Sequence, residues 1–317
     1  MQLFTACLNH RLSQYVDVDI LGKEQTGFIA GYSTIDHVFV LQLIIELYQS
    51  VHKRVYCVFI GYRKAFDYVS SHLLWQKLLM YDINGKFLNV IKNMYMKAKS
   101  CIKKDSLMSD YFVCNIGVRQ GDNLSPLLFA LFINDFTQYV SSSYNGLDVS
   151  NTCYPSLNDE DLVLLKLFVL LYANDTIILA ENERDLQKAL DKVHEYCELY
   201  KMFVNTSKTK IVVFSRRKVR CFPKFYCGNS IIEVVSDYIY LGVTMNYNNR
   251  FLKAIRKQLD QGRKAQFSLL IKAKKLILPV DVQCQLFESL VFPILLYGCE
   301  VWGFQHITML ETFYRNF

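Results

Sequence analysis

Two apolar runs, residues 167–171 and 176–179, flank the polar pair Asn174-Asp175, with Tyr172 shortly before it. Short runs rich in Val, Ile and Leu around a turn-prone pair predict a buried β-hairpin with a carboxylate and a carboxamide at its tip. Residues 55–60 form another continuous apolar run and predict a strand buried on both faces. Elsewhere the period is helical. Residues 1–16 read as a helix, and Ser33-Thr34 opens a second one with a stripe of Ile35, Val38, Leu41, Ile44 and Ile45. Residues 64–79 predict a helix with Leu73, Leu74, Leu78 and Leu79 toward a core. Ser125 as N-cap and Pro126 in the first turn open a helix that is apolar on most sides. Leu186, Ala189, Leu190, Val193, Cys197 and Tyr200 trace an amphipathic helix, and residues 211–214 a strand. The turn formers of residues 137–161 predict a surface loop or short hairpin. Residues 80–112, with Lys97, Lys99, Lys103 and Lys104, predict a helix followed by a hairpin. From residue 246 onward the pattern is helical, with Lys253, Lys257 and Lys264 opposite Leu252, Ile255 and Leu259.

With 317 residues, 52% hydrophobic and 14% aromatic, the chain has the material for a substantial core in one large domain or two to three subdomains. No apolar run reaches the length of a membrane span, since residues 162–171 are broken by Lys166. The N-terminus has early polar interruptions and makes a poor signal peptide. The ten cysteines form no Cys-x-x-Cys pair, and the six histidines show no ligand spacing beside them. The expectation is an intracellular protein, nuclear or cytoplasmic, with reduced cysteines and no zinc site. A net charge of +7 favours a polyanionic partner.

Three sequence blocks follow one another along the chain. An apolar strand leads into Lys64-Ala65-Phe66-Asp67, then come Arg119-Gln120-Gly121-Asp-Asn-Leu-Ser125-Pro126 and Tyr172-Ala-Asn-Asp175. Together they resemble the palm of a reverse transcriptase, and more narrowly the enzymes of non-LTR (LINE-type) retrotransposons. The resemblance covers nearly the whole chain. It implies an α+β right-hand polymerase fold: fingers, a palm with a small, mainly antiparallel sheet, and a partial helical thumb. On it, residues 1–54 belong to the fingers, 55–79 to the first palm strand and helix, and 80–112, with its hairpin, to a fingers/palm insertion. Residues 113–245 complete the palm, and 246–317 are thumb-like. It further implies an RNA template, a DNA primer and Mg²⁺.

Nucleotidyl transfer of this kind uses two divalent cations about 3.5–4 Å apart, and holding them takes several carboxylates. The family supplies one aspartate at the end of the first palm strand and two at the hairpin tip. Here the first position is Gly61 and the first tip position Asn174, leaving Asp175 as the one matching catalytic and metal carboxylate. Asp67 lies six residues on, in the expected helix, and does not replace the lost group. Ile29 stands where the family's fingers carry an arginine. Other positions match. Phe66 corresponds to the steric gate, or is a core ring. Gln120-Gly121 corresponds to the template- and nucleotide-binding turn, or is an ordinary loop. Arg119 contacts nucleic acid or a surface acid. Lys208 corresponds to the lysine that serves pyrophosphate, or is simply solvated. Tyr240-Leu241-Gly242 corresponds to the primer grip. Nothing in the sequence reads as an endonuclease or a Cys/His knuckle. The expectation is therefore a reverse-transcriptase domain from a decayed element, inactive or nearly so. A non-catalytic nucleic-acid-binding module that retains the groove is the alternative, and a polymerase using Asp175 with substitute ligands stands third.

Overall fold

The computed structural model describes residues 2–16, 20–21, 27, 31, 33–114, 116–144, 146–147, 169–172, 175–219, 221–303 and 307–315. Ile29, Asn174 and most of the expected 137–161 loop lie outside the described residues. In chain order the elements begin with α1 (Gln2–Val16), α2 (Thr34–Ser50), β1 (Val55–Gly61), α3 (Ser71–Met80) and α4 (Gly85–Met96). Four short strands follow: β2 (Lys99–Ser100), β3 (Lys103–Lys104), β4 (Leu107–Met108) and β5 (Phe112–Val113). Next are α5 (Ser125–Ile133), α6 (Phe136–Ser141), β6 (Val169–Tyr172), β7 (Asp175–Ala180), α7 (Glu183–Tyr200) and β8 (Lys210–Phe214). Then come β9 (Phe225–Cys227), β10 (Ser230–Val234), β11 (Asp237–Tyr240) and β12 (Val243–Asn246). The chain closes with α8 (Leu252–Leu276), α9 (Val280–Leu290), α10 (Phe292–Leu295), α11 (Cys299–Trp302) and α12 (Ile307–Arg315).

These elements gather into two compact units, one of residues 1–32, 56–211 and 223–233, the other of residues 33–55, 212–222 and 234–317. α1 falls in the first unit and α2 in the second.

The first unit is built on the strand order β6-β7-β1. Every residue of β1 is buried, as its unbroken apolar run requires. It pairs antiparallel with β7, Tyr56 opposite Ala180 and Gly61 opposite Asp175, while β7 pairs antiparallel with β6. Two helices add to the core of this unit. Residues 128–133 of α5 are all buried, and α7 buries Leu186, Ala189, Leu190, Val193, Tyr196 and Cys197. Asn182 caps α7, its side chain accepting from the Asp185 amide at 2.9 Å.

Three local expectations change. Ser125 is the first residue of α5 rather than its cap; Asp122 does the capping work, its carbonyl and carboxylate accepting from the amides of Ser125 and Leu124 at 3.2 Å each. The helix predicted over residues 64–79 begins only at Ser71, because residues 65–68 form a turn, and it buries Leu74, Lys77 and Leu78 while Leu79 is exposed. Residues 136–141, at the start of the expected loop, are the helix α6.

In the second unit α2 starts with a capping box: Ser33 Oγ accepts from the Asp36 amide, and Asp36 Oδ2 accepts from the Ser33 amide at 2.7 Å. Its buried face includes Val38, Leu41, Ile44, Ile45 and Tyr48. The long α8 buries Ala254, Ile255, Leu259, Gly262, Leu269 and Ala273, and Gly262 leaves room for Leu295 of α10 and Phe313 of α12. No described helix is long and apolar enough to cross a membrane.

Candidate active site

The end of β1 meets the start of β7 at the pair Gly61–Asp175. Side chains of directly opposed residues on antiparallel strands lie within about 5 Å of each other at Cβ. This register therefore places any carboxylate at position 61 beside that of Asp175. The half-buried Asp175 carboxyl is pushed up by burial, with the Lys208 ammonium pulling the other way. Gly61 itself is buried, and its amide donates to Thr209 Oγ1 at 3.2 Å while its carbonyl accepts from the Asn205 amide at 2.7 Å. A Cβ built there would lie 3.2 Å from Lys208 Cβ and 3.8 Å from its Cδ, so the lysine stem runs over the vacant side-chain position. The loop presenting Lys208 is folded by Asn205, whose Oδ1 accepts from the Ser207 amide at 3.1 Å and from its hydroxyl at 2.6 Å.

At the described positions of this junction a carboxylate comes from Asp175 and no ligand from Gly61. A glycine gives no ligand, and Asn174 lies outside the described residues. Asp67 accepts from Gln120 Nε2 at 3.0 Å, which ties its carboxylate to the glycine turn. Among the described residues no group of three or more His, Cys, Asp or Glu is placed to hold a metal ion.

In the same unit Phe66, Arg119, Gln120 and Gly121 come together around a cavity of about 690 Å³. Phe66 is half-buried and stacks on Phe129 at 4.8 Å between ring centroids, so one face packs on the core while the residue still lines the cavity. The Val118 amide donates to the Phe66 carbonyl at 2.7 Å. Next to it Gly117, at φ +88°, has room for no side chain, since a Cβ would lie 2.8 Å from the Asp67 carbonyl oxygen. Arg119 donates to the Met94 carbonyl at 2.6 Å and lies 5.5 Å from the Tyr95 ring, so it braces the turn against α4. The opposite wall was not anticipated: Asn9, His10 and Ser13 of α1 line the same cavity. The signal available in the sequence is the polar spacing of positions 9, 10 and 13 opposite the buried Leu8, Leu12 and Val16. Lys208 is exposed.

Tyr240, Leu241 and Gly242 lie in the second unit, at the turn between β11 and β12. Leu241 and Gly242 both have positive φ, +43° and +87°, as a two-residue hairpin turn of this hand requires. The turn is fastened from two sides. Tyr297 donates its hydroxyl to the Leu241 carbonyl at 2.7 Å and meets Thr34 Oγ1 at 3.2 Å. The Tyr240 hydroxyl lies 3.3 Å from Nδ1 of the buried His37, whose pKa burial lowers to about 4. A Cβ at Gly242 would fall 2.7 Å from the Tyr297 ring. Gly242→Ala is accordingly expected to lower stability by about 1–3 kcal/mol through backbone strain and this clash, read by urea denaturation. A change within experimental error would show that the turn is not held as described.

A small antiparallel sheet ending in this strand–hairpin junction, backed by helices and flanked by a glycine turn, is the palm of an α+β polymerase fold. The chain belongs to the reverse transcriptase (RNA-dependent DNA polymerase) family, which it matches over residues 2–245. It is 25% identical over 253 residues to the Retrovirus-related Pol polyprotein from type-2 retrotransposable element R2DM of Drosophila melanogaster, covering 77% of this chain and 22% of that protein. It is 24% identical over 295 residues to the RNA-directed DNA polymerase from mobile element jockey of the same species, covering 89% and 29% respectively. The chain thus spans less than a third of the length of these relatives, and the likeness to non-LTR retrotransposon polymerases expected from the motifs is shown. Among solved structures, apo telomerase from Candida tropicalis shares the fold, with a TM-score of 0.50 and 14% identity over 76% of this chain and 39% of that chain.

Proposed function

We propose that this domain keeps the groove of a non-LTR reverse transcriptase for an RNA template and a DNA primer but has lost most of its catalytic power. The observation that carries this reading is Gly61 directly opposite Asp175. Where the family shares cations between two strand ends, one side here offers no ligand, and Asn174 replaces a third carboxylate with an uncharged amide. Divalent cations, Mg²⁺ in the family's chemistry, supply activation of the attacking oxygen and stabilisation of the leaving one. What this chain's own residues do is bind and orient: Gln120 and Gly121 shape the cavity, Phe66 walls it, and Lys208 brings positive charge to Asp175. The primer would rest on Tyr240-Leu241-Gly242.

The intact cavity supports a second reading, a nucleic-acid-binding module whose value lies in the groove alone. Both readings share one test. The wild-type chain is expected to bind an RNA–DNA primer–template with an affinity that falls steeply between 50 and 200 mM salt, and to give no extension above background with Mg²⁺ or Mn²⁺. Measurable extension would overturn the proposed impairment. Absence of binding at low salt would overturn the retained groove.

A further inference from the structure

Between α4 and the glycine turn the chain projects an arm made of two small ladders. Lys99 and Ser100 pair with Val113 and Phe112, and beyond them Lys103 and Lys104 pair with Met108 and Leu107. Ser109 joins the ladders, its amide donating to the Ile102 carbonyl at 2.9 Å and its hydroxyl accepting from the Ile102 amide at 2.8 Å. Every residue from 102 to 113 is exposed. A two-stranded hairpin with no core is marginal in water, and large apolar side chains on both strands call for something to cover them. Tyr111 is 67% exposed and Phe112 48%.

The chemistry of the cover is set by what surrounds these rings. Lys97, Lys99, Lys103 and Lys104 outnumber the arm's Asp105 and Asp110, and among the described residues none of the four forms an ion pair. Lys97, Lys99, Tyr111 and Phe112 line a cleft of about 1120 Å³ whose far wall is Arg119 and Gln120. Those two residues also line the cavity beside Phe66, so the cleft and the cavity lie on either flank of one turn. Unpaired ammonium groups suit phosphates, and exposed rings suit bases that are free to stack, which duplexed bases are not.

We infer that the arm binds single-stranded nucleic acid, its lysines along the phosphates and Tyr111 and Phe112 under the bases. The inference rests on the proposed template-binding function for one point only, that the strand held here is template not yet copied. It adds a site for that strand outside the groove.

The test uses the full chain and three probes: a 20-nucleotide oligouridine, a blunt RNA–DNA duplex, and the same duplex with a 5′ template overhang. Changing the four lysines to alanine is expected to weaken oligouridine binding and to flatten its log K versus log salt slope by up to about 2.8. Changing Tyr111 and Phe112 to alanine is expected to cost about tenfold or more at an unaltered slope. Both variants should bind the blunt duplex like wild type and lose the advantage the overhang confers. All altered positions are on the exposed arm or its base, and a wild-type melting curve checks that the fold is kept. Oligouridine binding unchanged in both variants would overturn the inference. So would an equal loss on duplex and single strand, which would mean diffuse charge. A change of oligomeric state with unchanged oligouridine affinity would assign the arm to protein contact instead. Failure of the wild-type chain to bind the blunt duplex would count against the proposed groove, while the oligouridine results would still decide on the arm.

Discussion

Restoring both carboxylates, Gly61→Asp together with Asn174→Asp, is expected to raise magnesium-dependent primer extension by about a thousandfold or more over wild type. The size follows from the chemistry, since each carboxylate that holds a catalytic cation contributes several kcal/mol to stabilising the transition state. The fold has room for the change at position 61. That residue lies in β1 outside the left-handed region, so a side chain meets no backbone strain. Its Cβ would come within 3.2 Å of Lys208 Cβ, a tight contact, but Lys208 is exposed and its stem can shift by a few tenths of an ångström. The new carboxylate would then stand next to Asp175 across the sheet. Adding Asp175→Ala to the double reversion should return extension to background, because the remaining aspartates would lack their partner. Extension by wild type equal to that of the revertant would refute the proposed loss. Extension by neither would move the defect elsewhere, to Ile29 in place of the family's arginine for instance, while leaving the binding predictions standing.

Much of this site was legible before any fold was known, for identifiable reasons. A continuous apolar run such as β1 has few structural options, and two such runs around Asn174-Asp175 form a hairpin by local chemistry alone. What the sequence could not provide was the register. That Gly61 faces Asp175 depends on pairing strands more than a hundred residues apart, and no local pattern encodes such a choice. The turn at residues 65–68 was missed for a similar reason. Lys64-Ala65-Phe66-Asp67 contains no helix breaker, yet Lys64 takes φ +42° and the Gly117 segment docks on the turn, its amide bonded to the Val69 carbonyl at 2.8 Å. A distant segment overrides the local preference. The α1 wall of the cavity went unseen because polar positions on an amphipathic helix ordinarily face water. Lys77 was overlooked on the same logic: a lysine within a helical pattern reads as solvated, whereas here it is 3% exposed.

The burial of Lys77 leads to the second large expected effect, that Asp135→Ala destabilises the first unit by about 3 kcal/mol. Lys77 forms an ion pair with Asp135, and its ammonium lies 4.2 Å from the centroid of the Tyr200 ring. Asp135 in turn accepts from the Tyr196 hydroxyl at 2.7 Å and the Tyr200 hydroxyl at 2.9 Å. Removing the carboxylate strands a buried cation and two hydroxyls at once, and leaving a buried charge unpaired costs about 3–5 kcal/mol. Asp135 is 33% exposed, so water can take up part of the role, which sets the estimate at the low end. Asp135→Asn should fall between, since its carbonyl still accepts one tyrosine hydroxyl. The pH dependence follows from Lys77. Burial lowers its pKa from the ordinary 10.5, and Asp135 opposes that shift. Without Asp135 the folded-state value drops further. Between that lowered value and 10.5 the unfolded chain holds a proton that the folded chain does not, so stability of Asp135→Ala should rise with pH across that window, more than wild type does. Urea denaturation at pH 7 and pH 9.5 measures it. Adding Lys77→Met to Asp135→Ala should recover much of the loss and abolish the added pH slope, because an apolar side chain fits a site with no partner charge. A single-variant loss below about 0.5 kcal/mol, or a double variant no more stable than the single, would mean that Lys77 escapes to solvent and the pair carries little of the fold's stability.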